Sequence, residues 1–78
     1  MDYAGKNIWI IGASSGIGRA LALELSRRGA RVAVSARRAE ALENLCREMG
    51  ARHLAIPCDV NKPEDIRRAV ADVQAVFT

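Results

Sequence analysis

The chain has 78 residues, half of them apolar, and a formal net charge of +3. A chain this short forms at most one small domain and buries only about 60% of its unfolded surface, so one core with little surplus stability is expected. The mild basic balance suits a small anionic ligand as readily as nucleic acid, and Tyr3, Trp9 and Phe77 are too few aromatics for a base-stacking surface.

The chain opens M-D-Y-A-G-K-N, without the charged-then-apolar pattern of a signal segment, and no apolar run approaches the roughly 18 residues of a membrane span. No membrane partner is expected. Asn7 to Ile11 (N-I-W-I-I) is a short apolar run ending at Gly12, as in a strand buried on both faces. From Ile17 the period changes: Ile17, Leu21 and Leu25 recur every four residues, Ala20 and Ala22 fill between them, and Gly29 stands where a helix would close. Arg31 to Ser35 (R-V-A-V-S) reads as a second strand. Leu42, Leu45, Cys46 and Met49 then follow helical spacing up to Gly50.

His53 to Pro57 (H-L-A-I-P) is a third apolar run; His53 reads as a strand-start residue with no assigned role. Asn61 and Glu64 form a capping pair with Pro63 in the first turn, and Ile66, Ala69, Val70, Val73 and Val76 or Phe77 give a third helix its stripe. Cys46 and Cys58 stand in no metal or redox spacing; they read as small buried hydrophobes in a reducing cytosol, with a disulfide as the alternative. The order βαβαβα with short links predicts an α/β fold in which right-handed crossovers make the sheet parallel.

Between the first strand and the first helix lies G-A-S-S-G-I-G, three glycines within seven positions. The free N–H groups and dipole of a helix start attract a phosphate, and a side chain at the turn would hold that phosphate away. Gly12 allows a sharp exit from the strand, Gly16 lets a pyrophosphate close in, and Gly18 lets the helix pack tightly. Ser14 and Ser15 offer hydroxyls to the same anion. A phosphate loop of the Walker type is excluded: the fifth position after Gly12 is Ile17, and no lysine follows.

The order G-x-x-x-G-x-G differs from the general G-x-G-x-x-G fingerprint and resembles the cofactor loop of the short-chain dehydrogenase/reductase family. That family usually has threonine before the first glycine, where this chain has Ile11. Its extended branch shortens the first gap by one residue and fits less well. The resemblance implies a Rossmann-like half-sheet of strand order 3-2-1 over the whole chain, residues 1–78, as the N-terminal dinucleotide-binding portion of a longer enzyme. The implied cofactor-binding set is Gly12, Ser14, Ser15, Gly16, Ile17, Gly18, Arg37, Arg38, Asp59 and Val60.

Within that set, Arg37 lies 19 residues beyond Gly18, where an NAD site usually places an acidic residue for the ribose 2′-hydroxyl. No carboxylate stands there; Arg37 and Arg38 present guanidinium groups suited to a 2′-phosphate, so the implied cofactor is NADP(H). The plainer alternative is that both arginines are solvated surface. Family members that prefer NADP often carry a basic residue before the middle glycine; here it is Ser15. Asp59 and Val60 match an Asp-Val pair that lines the adenine pocket in the family, although Asp59 alone would read as a loop residue before a helix.

The family's later elements, an Asn-Asn-Ala-Gly strand, a catalytic serine and a Tyr-x-x-x-Lys pair, are not among these residues. Tyr3 is followed by Lys6, three positions on, and precedes the first strand. No catalytic residue and no metal ligand is therefore assigned, and the 78 residues alone are expected to be inactive. The resemblance implies a cytoplasmic oxidoreductase moving hydride to or from a carbonyl or alcohol substrate, which only a longer chain would bind. The alternative is a non-catalytic half-domain, truncated or designed, for assembly or phosphate binding. With its fourth neighbour absent, the first strand is an open edge bearing Ile8, Trp9, Ile10 and Ile11, and self-association is expected. Arginines interspersed with Glu24, Glu40, Glu43 and Glu48 argue against a nucleic-acid partner.

Overall fold

A computed structural model describes residues 3–50 and 52–77. Strand β1 (Asn7–Ile11) leads into helix α1 (Gly16–Arg27); β2 (Arg31–Ser35) and α2 (Ala39–Met49) follow, then β3 (Leu54–Ala55) and α3 (Pro63–Phe77). The three strands form one parallel sheet in the order β1-β2-β3, which from the opposite edge is the expected 3-2-1. Asn7 pairs with Arg31 and Ile11 with Ser35, so β1 and β2 end level, and the turn after β1 opens beside the end of β2.

The central strand shows why the sheet needs two covered faces. Val32, Ala33, Val34 and Ser35 are all fully buried, and their side chains alternate between two cores. Val32 and Val34 pack with Ile10, Ala22, Leu42 and Leu45 beneath α1 and α2. Ala33 packs with Ile56, Cys58 and Ala69 under α3, where Trp9, Val73 and Phe77 join. Each large aliphatic side chain fully buried here contributes about 1.5–3 kcal/mol relative to leaving it exposed. Arg31 closes the lower end: its guanidinium lies 5.5 Å from the Phe77 ring centre and donates to the carbonyl oxygens of Arg52 and Val76.

Four details depart from the sequence expectation. The inward face of α1 runs through Gly18, Ala22 and Leu25, while Ile17 is 88% exposed and Leu21 is also exposed. Contact between Gly18 and the turn beneath it sets the helix's rotation, and that contact turns Ile17 and Leu21 outward. The third strand is shorter than His53–Pro57, yet its ladder continues through single bonds from Ile56 N–H to Val34 O and from Cys58 N–H to Ala36 O, both 2.9 Å. The helix start at Pro63 is not capped by Asn61 and Glu64: the Lys62 carbonyl receives the Asp65 and Ile66 N–H groups, while the Asp65 carboxylate reaches back to Asp59. On β1, Ile10 is buried and Ile8 and Trp9 are half-buried beneath the helices, leaving Ile11 as the strand's exposed apolar side chain.

Candidate cofactor site

At the ends of all three strands a cleft of about 360 Å³ opens, lined by Ile11, Gly12, Ser14, Ala36, Arg37, Arg38, Cys58, Val60 and Asn61. Its size falls in the range of small-molecule sites. The position follows from topology: in a parallel sheet the loops after the strands' carboxyl ends converge, and there a helix N-terminus faces the ligand.

The loop after β1 is anchored from below. The Ser35 carbonyl at the end of β2 accepts the N–H groups of Gly12 (2.7 Å) and Ala13 (3.2 Å). The hydroxyl of Ser35, fully buried, accepts the Trp9 indole N–H at 2.8 Å. Strand, turn and neighbour are thus tied at one residue. Beyond that anchor the chain turns through Gly12 with φ +83° and enters α1 through Gly16 with φ +60°, conformations that side chains resist.

Gly16 and Gly18 do different work. A Cβ on Gly16 would meet no protein atom within 4 Å, so the backbone there lies open to an approaching ligand. A Cβ on Gly18 would lie 2.4 Å from the Gly12 carbonyl oxygen, so helix and turn touch only because that side chain is missing. Ser15, the N-cap residue, makes no side-chain capping bond, and its hydroxyl leaves the first N–H groups of α1 to another acceptor. The open backbone, helix start and glycine turn together fit a pyrophosphate.

At the end of β2, Arg37 and Arg38 stand exposed on the cleft wall, Arg38 also serving as the N-cap residue of α2. Among the described residues neither guanidinium is paired with a carboxylate. Arg19, by contrast, points away from the cleft and pairs with Glu48 of α2. Among the described residues no acidic side chain lines the cleft.

The structure therefore brings Gly12, Ser14, Arg37, Arg38 and Val60 to one cleft. Ser15, Gly16 and Gly18 stand at the adjoining helix start, whereas Ile17 projects outward. Asp59 does not line the cleft; its carboxylate accepts the Asn61 N–H at 3.0 Å and braces the turn behind the wall. Four lining residues carried no site assignment from sequence: Ile11, Ala36, Cys58 and Asn61. The signal for them is positional: Ile11 and Ala36 sit at the carboxyl ends of β1 and β2, and Cys58 and Asn61 lie on the segment between β3 and α3.

The remaining titratable groups add no second chemistry. Cys46 and Cys58 are both free, and burial, with Glu43 nearby, pushes the Cys46 thiol above its ordinary range, away from reactivity. No metal-holding cluster of histidine, cysteine and carboxylate side chains occurs among the described residues. No helix among them is long and apolar enough to cross a membrane.

Comparisons with known proteins agree with this geometry. Residues 6–78 match the sequence profile of the family described as short chain dehydrogenase. An 11-beta-hydroxysteroid dehydrogenase A of Arachis hypogaea is 49% identical over 75 residues, covering 88% of this chain and 21% of that protein. A short-chain type dehydrogenase/reductase from Mycobacterium marinum superposes with a TM-score of 0.88 at 39% identity, over 95% of this chain and 31% of the other. The 3-ketoacyl-(acyl-carrier-protein) reductase of Brucella melitensis, solved with NADH, gives a TM-score of 0.92 at 32% identity, over 97% of this chain and 31% of that one. The chain thus spans about a fifth to a third of the length of the relatives it matches.

Proposed function

The chain belongs to the short-chain dehydrogenase family, and from that premise we propose that its residues form the N-terminal cofactor-binding portion of an NADP(H)-dependent oxidoreductase. The whole enzyme would transfer hydride between the nicotinamide and a carbonyl or alcohol carbon. When bound, the cofactor supplies the hydride; these residues hold its adenosine and pyrophosphate end. Gly12, Gly16 and Gly18, with the Ser14 and Ser15 hydroxyls and the start of α1, seat the pyrophosphate. Val60, with Asp59 braced behind it, walls the adenine. No catalytic role is assigned to any of the 78 residues. Free thiols at Cys46 and Cys58 support a reducing, cytoplasmic setting.

The choice of NADP over NAD rests on one observation: among the described residues, two guanidinium groups without a carboxylate partner, Arg37 and Arg38, line the cleft and no carboxylate does. A carboxylate there would accept the 2′-hydroxyl of NAD and repel a 2′-phosphate; a guanidinium forks onto the phosphate. The Brucella melitensis neighbour was solved with NADH, so kinship alone does not select the phosphorylated form.

Titrating the chain with 2′-phospho-ADP-ribose and with ADP-ribose at low salt tests this reading, with Trp9 fluorescence as reporter. Tighter binding of the phosphorylated ligand by about tenfold or more is expected, the scale of a charge-assisted hydrogen bond, and Arg37→Ala should remove the preference. Equal affinities would refute NADP selectivity while leaving the dinucleotide loop in place. No binding of either ligand by a folded chain would mean that these residues do not form a working half-site alone.

A further inference from the structure

We propose that Asp65, in the first turn of α3, is a positioning residue of the nucleotide cleft: it holds the Val60–Asn61 wall in place through the Asp59 amide behind it. The inference rests on the cleft's reading as a nucleotide site and adds a residue from outside the glycine loop and the strand ends.

The wall needs such a support. The sheet's last backbone bond on this side is Cys58 N–H to Ala36 O, yet Val60 and Asn61, beyond it, line the cleft. Beyond Cys58 the chain is held by polar contacts of its own. The Asp65 carboxylate (Oδ2) accepts the Asp59 N–H at 3.0 Å. The Asp59 carboxylate (Oδ1) accepts the Asn61 N–H at 3.0 Å, and the Asp59 carbonyl accepts the Lys62 N–H at 3.0 Å. Arg68, one turn further along α3, donates to the Pro57 carbonyl at 2.7 Å and lies 3.6 Å from the other Asp65 oxygen. The chain from Pro57 to Asn61 is thus clamped to α3 at two points, with Asp65 central to both.

Asp65 itself does not line the cleft. Its side chain is 32% exposed and sits where a helix's first turn favours negative charge. It acts through the wall and touches no ligand. Removing the carboxylate strips the Asp59 N–H of its acceptor and frees the turn to move. The glycine loop, anchored on Ser35, is left untouched.

Amide exchange and ligand titration on the chain and on Asp65→Ala and Asp65→Asn test the proposal. In Asp65→Ala the Asp59 and Asn61 amides should exchange faster, while core amides such as those of Val34 and Leu45 keep their rates. Affinity for 2′-phospho-ADP-ribose should fall about tenfold, while inorganic pyrophosphate, read by the loop amides, binds as before. Asp65→Asn keeps an acceptor oxygen and should recover most of the loss. Uniformly faster exchange, an equal loss for both ligands, or an asparagine variant as weak as alanine would overturn the positioning role. If the unaltered chain binds neither ligand, the nucleotide reading fails and takes the ligand half of this inference with it. The exchange rates at Asp59 and Asn61 still decide whether Asp65 holds the wall.

Discussion

His53 shows how one residue can matter to the sheet without belonging to the cleft. Its Nδ1 accepts the Val32 N–H at 3.0 Å, joining the approach to β3 to the start of β2. The ring must be unprotonated at Nδ1 to do so, because an imidazolium offers only donors. Burial holds its pKa below the ordinary value of 6.5, and the charges of Arg52 and Arg31 act in the same direction. Glu43, Cys46 and Arg47 of α2 line the same shallow hollow. With the folded pKa depressed below the unfolded one, the unfolded chain takes up the proton first as pH falls. The stability His53 contributes is therefore complete above about pH 6.5 and is lost as pH drops through its folded pKa. His53→Asn, whose Oδ1 can still accept the Val32 N–H, should lose fewer degrees of Tm than the unaltered chain between about pH 7.5 and pH 5.5. Parallel melting curves at both pH values would refute the linkage. Nothing near His53 in sequence announces this role, since its partner is a backbone group 21 residues away.

At the scale of elements, the junction of β1, the glycine turn and α1 makes a double prediction. Gly18→Ala forces a Cβ against the Gly12 carbonyl oxygen and must push helix and turn apart, costing about 1–3 kcal/mol as overpacking does. Gly16→Ala meets no protein atom, so its folding cost is the positive φ alone, about 1–2 kcal/mol, and its main effect falls on the ligand that would share that space. Urea unfolding should therefore rank Gly18→Ala at or below Gly16→Ala in stability, while Gly16→Ala shows the larger loss of 2′-phospho-ADP-ribose affinity relative to its stability. The reverse order would contradict the division of labour between the two glycines. The junction also shows what was legible in the sequence. Apolar runs and glycine punctuation were enough for six elements in order, because each is a local pattern, and the glycine spacing located the loop. The rotation of α1 was not legible, for the helical spacings of three and four fit the Ile17–Leu21–Leu25 stripe as well as Gly18–Ala22–Leu25. The choice is made by a contact that exists because a side chain is absent. The start of α3 was misread for a related reason. Asn61 and Glu64 have capping spacing, but Asp59 and Asp65, six positions apart, are brought together only by the turn between them.

The whole molecule has one feature its parts do not: a sheet covered on both faces and ending in two edge strands, of which β1 is the longer. Lys6 O accepts the Arg31 N–H and Gly12 N–H reaches Ser35 O, so the two-residue period of a parallel ladder turns Ile8 and Ile10 toward β2. Asn7, Trp9 and Ile11 then present their N–H and C=O groups to the free edge. The side chains of Ile8, Trp9 and Ile10 are largely covered, so the edge is a row of polar backbone groups rather than a greasy stripe, with Ile11, 54% exposed, at its end. Unpaired strand edges template pairing with another chain, and this one lacks an inward charge or a proline. The isolated chain should therefore associate with itself, its sedimentation coefficient rising with concentration, while the Asn7, Trp9 and Ile11 amides gain exchange protection in step. Asn7→Pro offers the sharpest control: it blocks the edge at the strand's first residue, where the lost N–H bonds nothing in β2. That variant should stay monomeric at concentrations where the unaltered chain does not, with its melting temperature little changed at high dilution. If both chains associate alike, the contact lies on another surface, and the outward faces of Ile17 and Leu21 become the place to look.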